Sequence, residues 1–148
     1  MDVPRGSDLV AAARISRRVE LREIRLSEVA ASGPTKAVGS LQPQIDHDCV
    51  PTRHDATSIE IECSYHILVT SANAEVMKGE LKYLILYSLS GDDPVSDEDL
   101  AHFAFANGTY HSWPFVRQFL FGLTSQMGYP PYTLPVFKFN PKPKPSET

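Results

Sequence analysis

The chain has 148 residues, 42% hydrophobic and 22% charged, enough for one domain with a buried core. A formal charge of −4 lacks the basic footprint of a nucleic-acid surface. No apolar run approaches the roughly 20 residues that span a bilayer, and the N-terminus has no apolar signal region. Cys49 and Cys63 form no CxxC pair, which predicts two reduced, mostly buried thiols in a cytoplasmic protein, with a disulfide between them as the lesser alternative.

Residues 8–18 read as a short helix that Ser7 can cap, with Leu9, Val10, Ala13 and Ile15 as a weak apolar stripe. A strand follows over 19–29. Val19 and Leu21 share one face, then Ile24 and Leu26 take the other parity, a slip that predicts a bulge near Arg22-Glu23. The small, Gly- and Pro-containing segment 30–40 is a loop long enough to cross over other strands. In 41–50, Leu41, Ile45 and Cys49 share a parity, and Pro43 confines the strand to an edge. Residues 51–56 read as a loop.

The cleanest strand is 57–70, where Ile59, Ile61, Cys63, Tyr65, Ile67 and Val69 alternate without a break. After a tight connection at Ser71–Ala74, residues 75–89 return with Met77, Leu81, Tyr83, Ile85, Tyr87 and Leu89 alternating. So short a link predicts an antiparallel pair. Leu68, Leu84 and Leu86 occupy the opposite parity, so the hairpin is apolar on both faces. The second face calls for another subunit or for cover by the N-terminal helix.

Ser96 with Asp99 resembles a capping box and opens a helix over 97–106, with Asn107-Gly108 as its stop. Ser112 then caps the main helix, with Pro114 near its first turn. Phe115, Val116, Phe119, Leu120, Leu123 and Met127 recur at helical spacing, and Gly128 with Pro130-Pro131 ends the run. An extended segment over 132–139 and a Pro-rich tail over 140–148 complete the chain. The order predicts an α+β fold: a four-stranded antiparallel sheet with helices packed on one face.

No phosphate loop, nucleophile elbow or HExxH motif is present. The densest polar cluster is Asp46, His47, Asp48 and Cys49, with His54 and Asp55 nearby. Strand alternation sends His47 and Cys49 to one face and both Asp to the other, which leaves too few ligands for a closed metal site. Glu60 and Glu62 lie together on an outward face and read as solvated charges. No nucleophile stands beside a base, so the chain reads as non-enzymatic, without cofactor or metal.

The stretch 107–139 holds five of the seven Phe, the only Trp and three of the six Tyr. Phe121 is rotated about 200° from Phe119, so this helix is apolar on more than one stripe. That predicts an oligomer contact at Phe121 or an apolar groove for extended polypeptide.

Here the sequence resembles the SecB protein-export chaperones. The motif Pro114-Phe115-x-Arg117 continues without gaps through Ser125, Tyr129-Pro130 and Leu134 to Phe139. It is similar to the family's P-[FY]-x-R helix, aromatic-Pro turn and final L-x-P-V-x-F segment. Gln42-Pro43 is similar to the family's W-Q-P entry after the crossover loop. The resemblance spans about 19–139, with 1–18 as an N-terminal extension and 140–148 as a flexible tail.

The resemblance implies an ATP-independent holdase that binds unfolded polypeptides in long apolar grooves. It implies a homotetramer, a dimer of dimers with helices between the dimers. Leu41, Ile45, Phe115, Phe119 and Leu123 are then the groove candidates, and Leu68, Leu84, Leu86 and Phe121 the oligomer-interface candidates. Glu23 and Glu80 fall at positions where the family's acidic residues meet the export motor ATPase. Leu41 replaces the family's Trp, His47 and Cys49 replace aliphatic residues, Ser27 replaces an acid, and Pro135 is displaced by one residue. The tail PKPKPSET is unlike the family's acidic, Gly-containing tail. These departures resemble divergent SecB-like members, among them chaperones of toxin–antitoxin systems whose client is an antitoxin. Two other readings stand beside this one: an oligomeric adaptor with a fixed folded partner, and a small metal enzyme built on 46–55.

Overall fold

A computed structural model describes residues 6–137. The elements run α1 (Gly6–Ser16), β1 (Val19–Ser32), β2 (Leu41–His54), β3 (Ser58–Ser71), β4 (Ala74–Leu89) and α2 (Asp97–Gln126). The expected tail 140–148 and the end of the expected 132–139 segment lie outside the described residues. The architecture is the expected one, a four-stranded antiparallel sheet with helices on one face.

The strand order is β1-β4-β3-β2. The two strands that the crossover joins are therefore the two edges, so residues 33–40 must traverse the sheet. β3 and β4 pair through a two-residue turn in which Ala72 and Asn73 both have positive φ (51° and 62°). That geometry suits the twist of the flanking strands.

The expected bulge in β1 is present, as a register shift between Leu21 and Glu23, and a second shift lies between Leu26 and Glu28. Each inserts one residue and restores the phase. Leu21, Ile24, Leu26 and Val29 thus all stand opposite the buried row Tyr87, Ile85, Tyr83 and Leu81. Ser27, the extra residue of the second shift, donates its hydroxyl to the Lys82 carbonyl (3.1 Å).

β2 is longer than expected and takes in residues 51–54. Pro51 is tolerated because β2 is an edge, and a shift between Pro51 and Arg53 absorbs the irregularity. The loop shrinks to Asp55–Thr57, where the Asp55 carboxylate accepts from the amides of Thr57 (2.8 Å) and Ser58 (2.9 Å). These bonds hold its carboxyl below the usual range.

The two expected helices are one helix of 30 residues. Ser96 caps it as expected and accepts from the Asp99 amide (3.1 Å). Asn107-Gly108 does not stop it. Gly108 is instead a close-packing position, since a Cβ there would lie 2.9 Å from both Cys49 Cβ and Cys63 Sγ. Ser112 is buried rather than a cap, and its hydroxyl donates to the Gly108 carbonyl (2.6 Å). Pro114 sits mid-helix on the exposed side, where water can satisfy the carbonyl it frees. Continuous packing on the sheet outweighs these local stop signals. Gly128, with φ 79°, ends the helix in the expected left-handed conformation.

The core lies between α2 and the row Ile59, Ile61, Cys63, Tyr65, Ile67 and Val69 of β3 with its β4 counterpart. α1 begins at Gly6, before the expected cap Ser7, and it buries Ala12 and Ile15 while Val10 faces out. α1 packs on the first half of α2, with Arg14–Asp99 at 3.2 Å and His102–Asp8 at 3.5 Å. It does not reach the other face of the sheet, so the expected cover for Leu68, Leu84 and Leu86 is not supplied by α1. Those leucines are half-buried among their own neighbours. Leu84 stands opposite Arg25 and Glu62, and Leu86 opposite Glu23 and Glu60. Long charged side chains can cover such leucines with their apolar stems.

Candidate functional site

A layer of polar contacts seats α2 on the sheet. Tyr65 Oη meets Ser112 Oγ at 2.5 Å, and Tyr87 Oη meets His111 Nδ1 at 2.7 Å. His47 Nε2 meets Thr109 Oγ1 at 2.8 Å. The His47 ring stacks between Tyr65 (5.1 Å) and Phe105 (5.2 Å), with Trp113 and Phe137 edge-on. Register confirms that His47 and Cys49 share the helix-side face, away from Asp46 and Asp48. Among the described residues no three His, Cys, Asp or Glu are grouped to hold a metal ion.

The same layer is chemically quiet. Burial pushes the Cys63 thiol far up, and the adjacent Cys49 thiol adds to the effect. Burial likewise raises the phenols of Tyr65 and Tyr87, and that of Tyr83 to about 12. These groups stay neutral at physiological pH, so they offer hydrogen bonds rather than a nucleophile or a base.

After Gly128 the chain doubles back along α2. Tyr129 Oη lies within hydrogen-bond distance of the carbonyls of Thr35 (2.7 Å) and Val76 (2.8 Å), which share its one proton, and this ties the crossover to the helix end. Trp113 Nε1 donates to the Pro135 carbonyl (2.8 Å) and Arg117 Nε to that of Leu134 (2.8 Å). The motif residues Arg117, Tyr129 and Leu134 thus act together to fix one extended segment against the helix.

On the other flank, between β1 and the second half of α2, lies an open groove of about 500 Å³. Ile24, Leu26 and Tyr83 form its sheet side and Phe115, Phe119 and Leu123 its helix side, with Gln118, Gly122 and Gln126 along the lip. Tyr83 and Phe115 have ring centres 6.2 Å apart. Leu26 is 37% and Phe115 43% exposed, so the groove is apolar and wet.

The structure brings together three of the five expected groove residues, Phe115, Phe119 and Leu123. Leu41 and Ile45 lie on β2, at the opposite edge of the sheet. The expected interface residues also separate. Leu68, Leu84 and Leu86 are on the open face of the sheet, whereas Phe121 projects from α2, 47% exposed. Glu23 and Glu80 both lie on the open face, in contact with Arg25 (4.0 Å) and His66 (3.3 Å). Ile24, Leu26 and Tyr83 were not expected at the groove. The β1 bulges were the available signal, because they return Leu26 to the helix side.

This architecture, with a crossover joining the two edge strands and one long helix on the sheet, is the SecB-like chaperone fold. It superposes on the solved SecB-like chaperone Rv1957 of Mycobacterium tuberculosis, which is in complex with a ChAD peptide from the Rv1956 HigA1 antitoxin, with a TM-score of 0.82 and 20% identity. The match covers 89% of this chain and 99% of that one. In sequence the chain is similar to the SecB-like chaperones Rv1957 (strain H37Rv) and MT2006 (strain CDC 1551) of the same organism. It is 27% identical to each over 147 residues, covering 84% of this chain and 80% of each relative. No protein-family model matches the chain.

Proposed function

We propose that the chain is an ATP-independent, non-enzymatic chaperone of the cytoplasm that holds non-native polypeptide in the β1–α2 groove. The observation that carries this reading is the exposed apolar groove formed by Ile24, Leu26, Tyr83, Phe115, Phe119 and Leu123. Arg25 also lines the groove, but its register opposite Leu84 and its contact with Glu23 turn it toward the open face, and the remaining aromatic and aliphatic walls accept many sequences. Leu41 and Ile45 belong to a second apolar strip at the β2 edge, which a long client reaches after crossing the assembly. The chain works as a homotetramer, with Phe121 in one contact and Leu68, Leu84 and Leu86 in another.

An antitoxin client is favoured over general export by the solved relative, whose bound peptide comes from an antitoxin. Contact of Glu23 and Glu80 with the export motor ATPase remains part of the export reading.

The test is suppression of aggregation. The full chain, at tetramer stoichiometry and without nucleotide, delays aggregation of an unfolded test protein, and Phe119→Asp abolishes the delay while leaving the circular dichroism spectrum intact. Failure to protect any of several clients, an aggregation-prone antitoxin among them, sinks the chaperone reading and leaves a fixed-partner adaptor.

A further inference from the structure

Residues 33–40, the crossover between the two edge strands, carry no regular secondary structure. They run from the end of β1, which walls the groove, to the start of the Leu41–Ile45 strip on β2. Two hydroxyls fasten them. Ser71 Oγ accepts from the Val38 amide (3.0 Å) and donates to the Val38 carbonyl (2.8 Å). Tyr129 Oη shares its proton between the carbonyls of Thr35 and Val76. Ser71 and Tyr129 are themselves buried, yet Thr35, Lys36 and Val38 are exposed, Val38 by 72%. Gly39, with φ 91°, has open space where a side chain would stand, so the chain can turn there without strain. An exposed segment with few buried contacts belongs to the least stable part of a fold.

What the crossover hides is apolar. Its fastenings at Val76 and Ser71 place it over Met77 and Val69, which pair across β4 and β3 and are both buried. The next row, Ala31, Gly79, Ile67 and Ile45, runs uncharged from β1 to β2. The direct line between the groove and the strip therefore passes under the crossover.

We infer that the crossover is a strap latched by Tyr129 and Ser71, and that its release opens an apolar path joining the β1–α2 groove to the Leu41–Ile45 strip. This rests on the client-holding reading above and deepens it, because it lets two separated sites act on one chain. β1 and β2 are three strand spacings apart, about 14 Å, which an extended client crosses in four to five residues. The client's side chains then cover Met77 and Val69 in place of the strap, so client and latched strap compete.

The experiment is limited trypsin digestion of the full chain together with capture of two apolar peptides. One has about 5 residues and fills a single site; the other has about 15 and reaches both. Lys36 is the one lysine or arginine between Arg25 and Arg53, so cleavage there reads the strap alone. Tyr129→Phe and Ser71→Ala each speed cleavage at Lys36 about tenfold, the loss of one latch, with the circular dichroism spectrum unchanged. Both tighten capture of the long peptide several-fold and leave that of the short one as in the wild type. In the wild type the long peptide speeds cleavage at Lys36 and the short one does not. Unchanged cleavage in both variants overturns the latch. Faster cleavage without tighter capture of the long peptide, or slower cleavage when that peptide binds, overturns the path. In either case capture of the short peptide, lost in Phe119→Asp, keeps the groove reading. Failure of the wild type to capture either peptide removes the groove reading and the inference together.

Discussion

The two halves of α2 are held to the same sheet, yet they face different neighbours. The first half opens with Asp97, Glu98 and Asp99 at the positive end of the helix dipole, capped by Ser96. It is covered by α1 through Arg14 and Asp8. Its glycine, Gly108, lets the helix settle onto two buried thiols. The second half bears no acid or lysine, leaves Phe115 and Phe121 nearly half exposed, and carries a glycine with empty space over it. The lesson is that the same local irregularity has opposite causes. One glycine is explained by the protein's own core, the other by surface that the chain leaves uncovered.

The sharpest way to break this contrast is Phe121→Asp. Burying an unpaired carboxylate in a subunit contact should weaken association by about 2–4 kcal/mol. Sedimentation showing unchanged assembly would remove the claim that the second half faces another copy. Leu84→Asp tests the open sheet face in the same way.

Next in size is Gly108→Ala. Its Cβ would come within 2.9 Å of Cys49 Cβ, so overpacking should destabilise the fold by about 1–3 kcal/mol despite the better helix propensity. Urea unfolding measures it, and Cys63→Ala in the same chain should recover part of the loss. Gly122→Ala, by contrast, should stabilise the dissociated chain by up to about 1 kcal/mol. Equal effects at the two glycines would erase the distinction.

A smaller effect tests the hairpin that supports both halves. Ala72→Gly should add a few tenths to about 1 kcal/mol, because glycine carries no Cβ penalty at φ 51°. An unchanged or lower urea midpoint would show that this turn is not strained.

The smallest effect is the pH response of His111, which lies at the boundary between the halves. Burial lowers its pKa below 6.5. The unfolded chain therefore binds the proton more readily than the folded one. The stability that the neutral ring contributes is complete above the unfolded value and is lost as pH falls through the depressed folded value. His111→Gln should flatten that acid slope in urea titrations. A slope left unaltered would show that His111 does not contribute to it.

Much of this was legible in the chain. Unbroken alternation in β3 and β4, the Ser96–Asp99 cap and the Gly128 stop each follow from rules confined to a few residues. The helix side of the groove was also legible, since Phe115, Phe119 and Leu123 share a face by helical spacing alone. The sheet side was not. The parity slip near Arg22-Glu23 does mark the bulge that puts Ile24 and Leu26 on the same side as Leu21, but nothing local says that β1 pairs with β4 and so stands beside the second half of α2. Nor could spacing tell that Leu41 and Ile45 stand at the far edge, because strand order depends on where the crossover lands.

By itself, then, the sequence determined the class of fold, the four strands, the two ends of α2 and the motif Pro114–Arg117 that carries the family resemblance. These depend on periodicity and capping, which act within one or two turns. Only the tertiary structure decided that Asn107-Gly108 is a point of contact rather than an end, and that Leu68, Leu84 and Leu86 are separated from Phe121 by the thickness of the domain. It also decided that the apolar groove forms between β1 and α2. The physical reason is the same in each case. Whether a small or apolar residue is a stop, a core position or an exposed surface depends on what packs across from it, and that partner lies far away in the chain.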